Sequence, residues 1–197
     1  MELETGGGEH GRSMERKRAT YAELEALPDN VVGEIVDGVL YASPRPAGPH
    51  MNAYSRLGYE LMGPFTKGKD GPGGWIIGDE PEVHLAEDVL VPDVAGWRRE
   101  RMPEPYRTPF TTLAPDWLCE ILSPSTKTLD RKAKLPVYAR EGVRHVWLMD
   151  PVARTLEVLR LEGAQYTLVA THVGSTPVRA EPFEAIELDL PFIWGDV

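Results

Sequence analysis

Four side chains in this sequence combine types and settings that suit phosphate chemistry: Glu34, Asp93, Glu120 and Lys134. Glu120 interrupts the apolar run Trp117–Leu118–Cys119–Glu120–Ile121–Leu122. In an extended strand its side chain shares a face with Leu118 and Leu122, opposite Cys119 and Ile121. A buried carboxylate without a partner is costly or takes up a proton. A divalent metal is one compensating partner, and Mg²⁺ or Mn²⁺ takes hard oxygen ligands, commonly one or two carboxylates plus water and substrate phosphate oxygens. Asp93, directly after Pro92, and Glu120 are the expected metal ligands, with the backbone carbonyl of Ile121 as a third. A metal so held lowers the pKa of its water and offsets charge growing on phosphoryl oxygens.

Lys134 stands fourteen positions after Glu120. Asp130, Lys134 and Tyr138 recur every fourth residue and share one helix face. If that helix folds back over the Glu120 strand, the ammonium can hold an attacking water or balance the transition state. Service as a base would require a depressed pKa, so electrostatic support is the expected role. Pro136 falls inside the proposed helix and implies that it starts late, near Arg131, or bends.

These residues need a scaffold. Thr20 and Glu23 suit a capping box that opens a short helix. Two β-rich runs around Asp37–Gly38 predict a hairpin, with Val32, Glu34 and Val36 on one face. A helix is expected over residues 50–62, closed by Gly63 and Pro64. Strands are expected at WIIGDEP, EVHL (before an acidic turn at Glu87 and Asp88) and PDVAGW, then a long proline-rich connection over 99–115. A central strand (DWLCEILSP), a helix and a strand (VRHVWLMDP) imply a parallel pair. RTLEVLRL, QYTLVATH and AIELDL predict a β-rich C-terminal part. Residues 1–18 read as a flexible tail and 19–197 as a single domain.

Composition limits the function classes. The net charge of -10 counts against a broad basic surface for nucleic acid but leaves room for a local basic strip or a metal-dependent phosphate site. No apolar run is long enough to span a membrane and no signal segment is visible, which favours a cytoplasmic protein. The one cysteine, Cys119, is expected to pack in the core, as are the five tryptophans. Ser123 and Ser125 suit a turn and helix start. There is no P-loop or dinucleotide fingerprint, and the histidines lack metal-ligand spacing.

In order, VPDVAGW, WLCEILSPST, DRKAKLPVYAREGV and HVWLMDP resemble a large bacterial family of restriction-endonuclease-like proteins, Uma-type, long known as a domain of unknown function within the PD-(D/E)XK nuclease superfamily. The resemblance covers about residues 18–195. It implies an α/β (α+β) fold with a central mixed sheet flanked by helices, divalent-metal dependence (Mg²⁺ or Mn²⁺) and hydrolysis of DNA. Asp93 matches the acid of the PD element and Glu120 the second acid. The superfamily's usual lysine position holds Leu122, and Lys134 matches a lysine displaced onto the following helix. Glu34 matches an acid of the first hairpin. His50 stands where the family often shows histidine, and a homodimer is the common assembly. Three readings compete: a metal-dependent endonuclease acting on DNA, a catalytically weak or inactive nucleic-acid or protein-binding module that keeps the fold, and a hydrolase of another phosphate ester.

Overall fold

The computed structural model describes residues 17–45, 48–102 and 107–196. Of the expected tail, only Lys17 and Arg18 fall within that set. In chain order the elements are α1 (Tyr21–Glu25), β1 (Val31–Val36), β2 (Val39–Pro44), α2 (Pro49–Leu61), β3 (Trp75–Asp79), β4 (Glu82–Leu85), β5 (Asp88–Leu90), β6 (Val94–Arg98), β7 (Phe110–Thr111), β8 (Trp117–Ile121), α3 (Lys127–Leu129), α4 (Leu135–Arg140), β9 (His145–Asp150), β10 (Thr155–Glu162), β11 (Gln165–Val173) and α5 (Leu190–Trp194).

Two sheets form. The larger has the strand order β11-β10-β9-β8-β6-β3, and the smaller β2-β1-β5-β4-β7. Both are mixed: β8 pairs parallel with β9, and β4 parallel with β7, among otherwise antiparallel neighbours. The expected parallel pair from the strand–helix–strand unit is therefore present. The Asp37–Gly38 turn joins β1 to β2 with positive φ at both residues (49° and 76°), as a tight hairpin turn requires.

Strand alternation divides the core. Trp117, Cys119 and Ile121 enter a cluster on one face of β8 with Ala53, Leu57 and Leu61 of α2, Trp147, Phe183, and Leu190 and Ile193 of α5. Leu118 and Leu122 enter a second cluster on the other face with Val137 and Tyr138 of α4, and with Val36, Val83, Leu85 and Leu90 of the smaller sheet. Cys119 and four of the tryptophans are at most 2% exposed, as expected of packing residues. Glu120 is the one residue of β8 whose side chain belongs to neither apolar cluster, although it is buried. The chain passes from the smaller sheet to the larger between β5 and β6, and Asp93 sits at that crossing.

Several local expectations need correction. Gly63 and Pro64 do not stop the second helix; it continues as a wide π-helical turn, Met62–Lys67. The Pro64 carbonyl there accepts a bond from Gly73, so the following loop folds back onto it. Asp88 is no turn residue: it opens β5 and is 2% exposed, receiving the Asp37 amide and an Arg140 guanidinium nitrogen. Within the expected loop 99–115, Phe110–Thr111 pairs with β4 as β7, while 103–106 lie outside the described residues. The expected strand at AIELDL reduces to one bridge, Val178 to Leu188. Asp189 then caps α5 by accepting the Phe192 amide, and this local bond turns the chain into a helix.

The helix after β8 also departs from a plain α-helix. It begins at Lys127, not near Arg131, and residues Asp130–Lys134 form a π-helical turn between α3 and α4. The Leu135 amide bonds the Asp130 carbonyl, five residues back. Pro136 then falls in the first turn of α4, where its missing N–H and fixed φ are tolerated. The widened turn relieves the proline, and such turns recur at functional sites.

Candidate active site

Five segments meet where the two sheets join. β1 supplies Glu34, the crossing Asp93, β8 Glu120, the π-helical turn Asp130 and Lys134, and the start of α2 His50; all six line one cleft of about 240 Å³. Hydroxyl residues Ser43, Ser123, Ser125 and Thr126, with Arg45 and Glu80, complete its polar wall. Ser123 is the expected turn residue: its Oγ accepts the Thr126 amide at 3.2 Å, and its carbonyl accepts the Lys127 amide.

Lys134 lies at the floor. Its Nζ stands 2.8 Å from Glu120 Oε1, 2.9 Å from Glu34 Oε1 and 3.4 Å from Asp130 Oδ1. The side chains of all four residues are at most 6% exposed. Glu34 Oε1 also accepts the Val91 amide at 2.9 Å, which ties the hairpin to the crossing. Tyr138 donates its hydroxyl to Glu120 Oε1 at 2.6 Å. The helix thus folds back over β8 and brings three consecutive members of its i, i+4 series to the same cluster.

Asp93 is held at both oxygens. The Ile121 amide donates to Oδ2 at 2.6 Å, and His50 Nε2 lies 3.3 Å from Oδ1. The other ring nitrogen of His50, Nδ1, is buried without a partner. Ile121 contributes backbone only: its side chain is in the core and does not line the cleft.

Charge balance sets the protonation states. Burial alone would lower the Lys134 pKa, but Glu120, Glu34, Tyr138 and Asp130 outweigh it and hold the amine well above its ordinary value. Lys134 is an ammonium. Burial pushes Glu120 well above the usual carboxylate range; Lys134 opposes this, and the neighbouring acids Asp130, Asp93 and Glu34 add to it. Asp130 is raised for the same reason, first burial and then like charge. His50 loses basicity through burial but gains more from Asp93, Asp130 and the Ile121 carbonyl, so its pKa is raised. Three acids thus share one ammonium, with Asp93 beside them on His50, and the cluster has room for additional positive charge.

The donors suit a hard cation. Side-chain carboxylates (Glu34, Glu80, Asp93, Glu120 and Asp130) and hydroxyls line the cleft, and the one cysteine faces the opposite core. Among the described residues no three of His, Cys, Asp or Glu stand as a ready-made cage.

Sequence reasoning singled out the series Asp130, Lys134 and Tyr138 but assigned chemistry to Lys134 alone. Asp130 and Tyr138 belong to the same buried network, and the i, i+4 spacing was the signal that could have included them. Among the described residues no helix is long and apolar enough to cross a membrane.

Among solved structures, this chain is similar to a protein of Anabaena variabilis described as "a putative nuclease belonging to DUF820", at 23% identity, covering 89% of this chain and 97% of that one with a TM-score of 0.66. The likeness establishes the restriction-endonuclease-like fold. No curated protein matches the sequence. A family model described as "Uma2: Putative restriction endonuclease" matches residues 18–191, so the chain belongs to the Uma2 family.

Proposed function

We propose that this protein is a metal-dependent endonuclease that hydrolyses DNA phosphodiester bonds at the cleft between its two sheets. The carrying observation is the buried set of Glu34, Glu120 and Asp130 around one ammonium, opening onto a cleft that also holds Asp93. Burying so many acids is expensive unless a cation joins them. Asp93 and Glu120 would hold Mg²⁺ or Mn²⁺, with the Ile121 carbonyl as a further donor. Bound there, the cation would supply an activated water and neutralise phosphoryl oxygen charge.

The protein's own groups do the positioning. The Ile121 amide and His50 orient Asp93 from two sides. Lys134 stays protonated through its three acids, so it serves as an electrostatic support for the phosphate or the attacking water and not as a base. Glu34 anchors that ammonium from the hairpin side. For cutting both strands, a homodimer would bring two clefts to one duplex, which sedimentation with and without duplex DNA would reveal.

The test is incubation of duplex and single-stranded DNA with the full chain and Mg²⁺ or Mn²⁺. Cleavage that stops with chelator, and with Glu120→Gln at unchanged melting temperature, supports the reading. Undiminished cleavage in excess chelator would falsify it. The net charge of -10 and the enclosure of Lys134 favour one alternative, a non-catalytic binding module; it predicts DNA or protein capture without cleavage under any divalent metal.

A further inference from the structure

Tyr138 is 1% exposed and sits on α4 beneath the cleft, in the apolar cluster with Val137 and Leu118. Its hydroxyl donates to Glu120 Oε1 at 2.6 Å, and Lys134 Nζ lies 2.8 Å from that same atom. A carboxylate oxygen offers two lone-pair sites, so two donors occupy Oε1 fully. Glu120 lines the cleft, and both of these donors sit on Oε1 and neither on Oε2. We infer that Tyr138 is a positioning residue that seals Oε1 of Glu120, makes this acid a one-oxygen ligand and biases the cleft toward a small octahedral cation over Ca²⁺.

The physical reason lies in coordination preference. Ca²⁺ accepts six to eight oxygens and readily takes a carboxylate through both, whereas Mg²⁺ demands near-octahedral geometry. A glutamate with one oxygen already closed off by a phenol and an ammonium cannot chelate through both. Tyr138 is held in place: it is 1% exposed, and its carbonyl accepts the Val143 amide, whose own carbonyl accepts the Tyr166 hydroxyl at 2.7 Å. The inference rests on the proposed cation site and adds its selectivity.

Calorimetric titration of the metal-free full chain with MnCl₂ and with CaCl₂ tests it, comparing wild type with Tyr138→Phe. Phenylalanine keeps the ring in the core and removes the hydroxyl alone. The expected result is an Mn²⁺ affinity lowered about tenfold, the lower end of what lost outer-shell partners cost, together with a smaller Mn²⁺-over-Ca²⁺ preference. An unchanged preference in a variant of wild-type melting temperature overturns the inference and leaves the cation site standing. Wild-type protein that binds neither cation overturns both. A Mn²⁺-bound crystal of the wild-type chain decides independently of whether the variant folds: Glu120 bonded through one oxygen supports the inference, and Glu120 bonded through both overturns it.

Discussion

The two ends of β8 carry similar chemistry in opposite settings. Just before the strand, Asp116 pairs with Arg101 at 2.6 Å, with side chains 21% and 40% exposed. At the other end, Glu120 pairs with Lys134 at 2.8 Å, with both side chains 3% exposed. The first pair also ties down a backbone amide, that of Arg98, and water can replace either partner. The second has two further acids on the same ammonium and no route to solvent except the cleft. Exposed pairs contribute about 0–1 kcal/mol, whereas buried charges carry a desolvation cost of several kcal/mol per ion. An arrangement that costly, set at the floor of a cleft, points to function; the Asp116 pair needs no reason beyond local order.

Breaking the comparison at its strongest point should remove activity altogether. Asp93→Asn and Glu120→Gln are each expected to reduce Mn²⁺-dependent DNA cleavage to background, while Asp116→Asn leaves it near wild type; gel assays with matched circular dichroism check this. Stability should separate the two ends next. Lys134→Ala strands three buried acids and is expected to cost about 3–5 kcal/mol, against about 0–1 kcal/mol for Arg101→Ala, measured by urea unfolding. Adding Glu120→Gln to Lys134→Ala should return part of that loss, because the two residues share one network and their effects will not add. Equal costs at both ends would remove the distinction drawn here.

The smallest effect contrasts a buried acid with an exposed one. Glu23 accepts from Lys17 first, then from the Thr20 backbone and hydroxyl, and these bonds lower its pKa to about 2. A depressed folded-state pKa means that its contribution to the α1 cap is present above the ordinary carboxylate range and is lost as pH falls through about 2. Glu120 shifts the other way, because burial is the largest influence on it. Carbon-13 titration of the side-chain carboxyls should show Glu23 ionising near pH 2 and Glu120 well above the usual range. A Glu23 midpoint near 4.5 would contradict the capping geometry.

Much of the scaffold was legible along the chain. The Asp37–Gly38 turn, the Thr20–Glu23 capping box and the alternation through β8 all rest on neighbouring residues, and each is present. The elements that departed from expectation depend on partners far away in sequence. Asp88 becomes a buried strand residue through Asp37 and Arg140, and Phe110–Thr111 becomes a strand because β4 offers an open edge. The AIELDL segment has a suitable strand composition, yet the Asp189 cap redirects it into α5.

The site divides in the same way. Residue type and spacing were enough to single out Glu34, Asp93, Glu120, Lys134 and the Asp130–Lys134–Tyr138 face, since a carboxylate in an apolar strand and an i, i+4 series are local patterns. Only the tertiary structure decided that His50 and the Ile121 amide grip Asp93, that one ammonium serves three acids, and that Tyr138 and Lys134 meet on a single oxygen of Glu120. These are contacts between segments as distant as Glu34 and Lys134. Their strength comes from the exclusion of water where two sheets and a helix close together, and no local stretch of sequence carries that information.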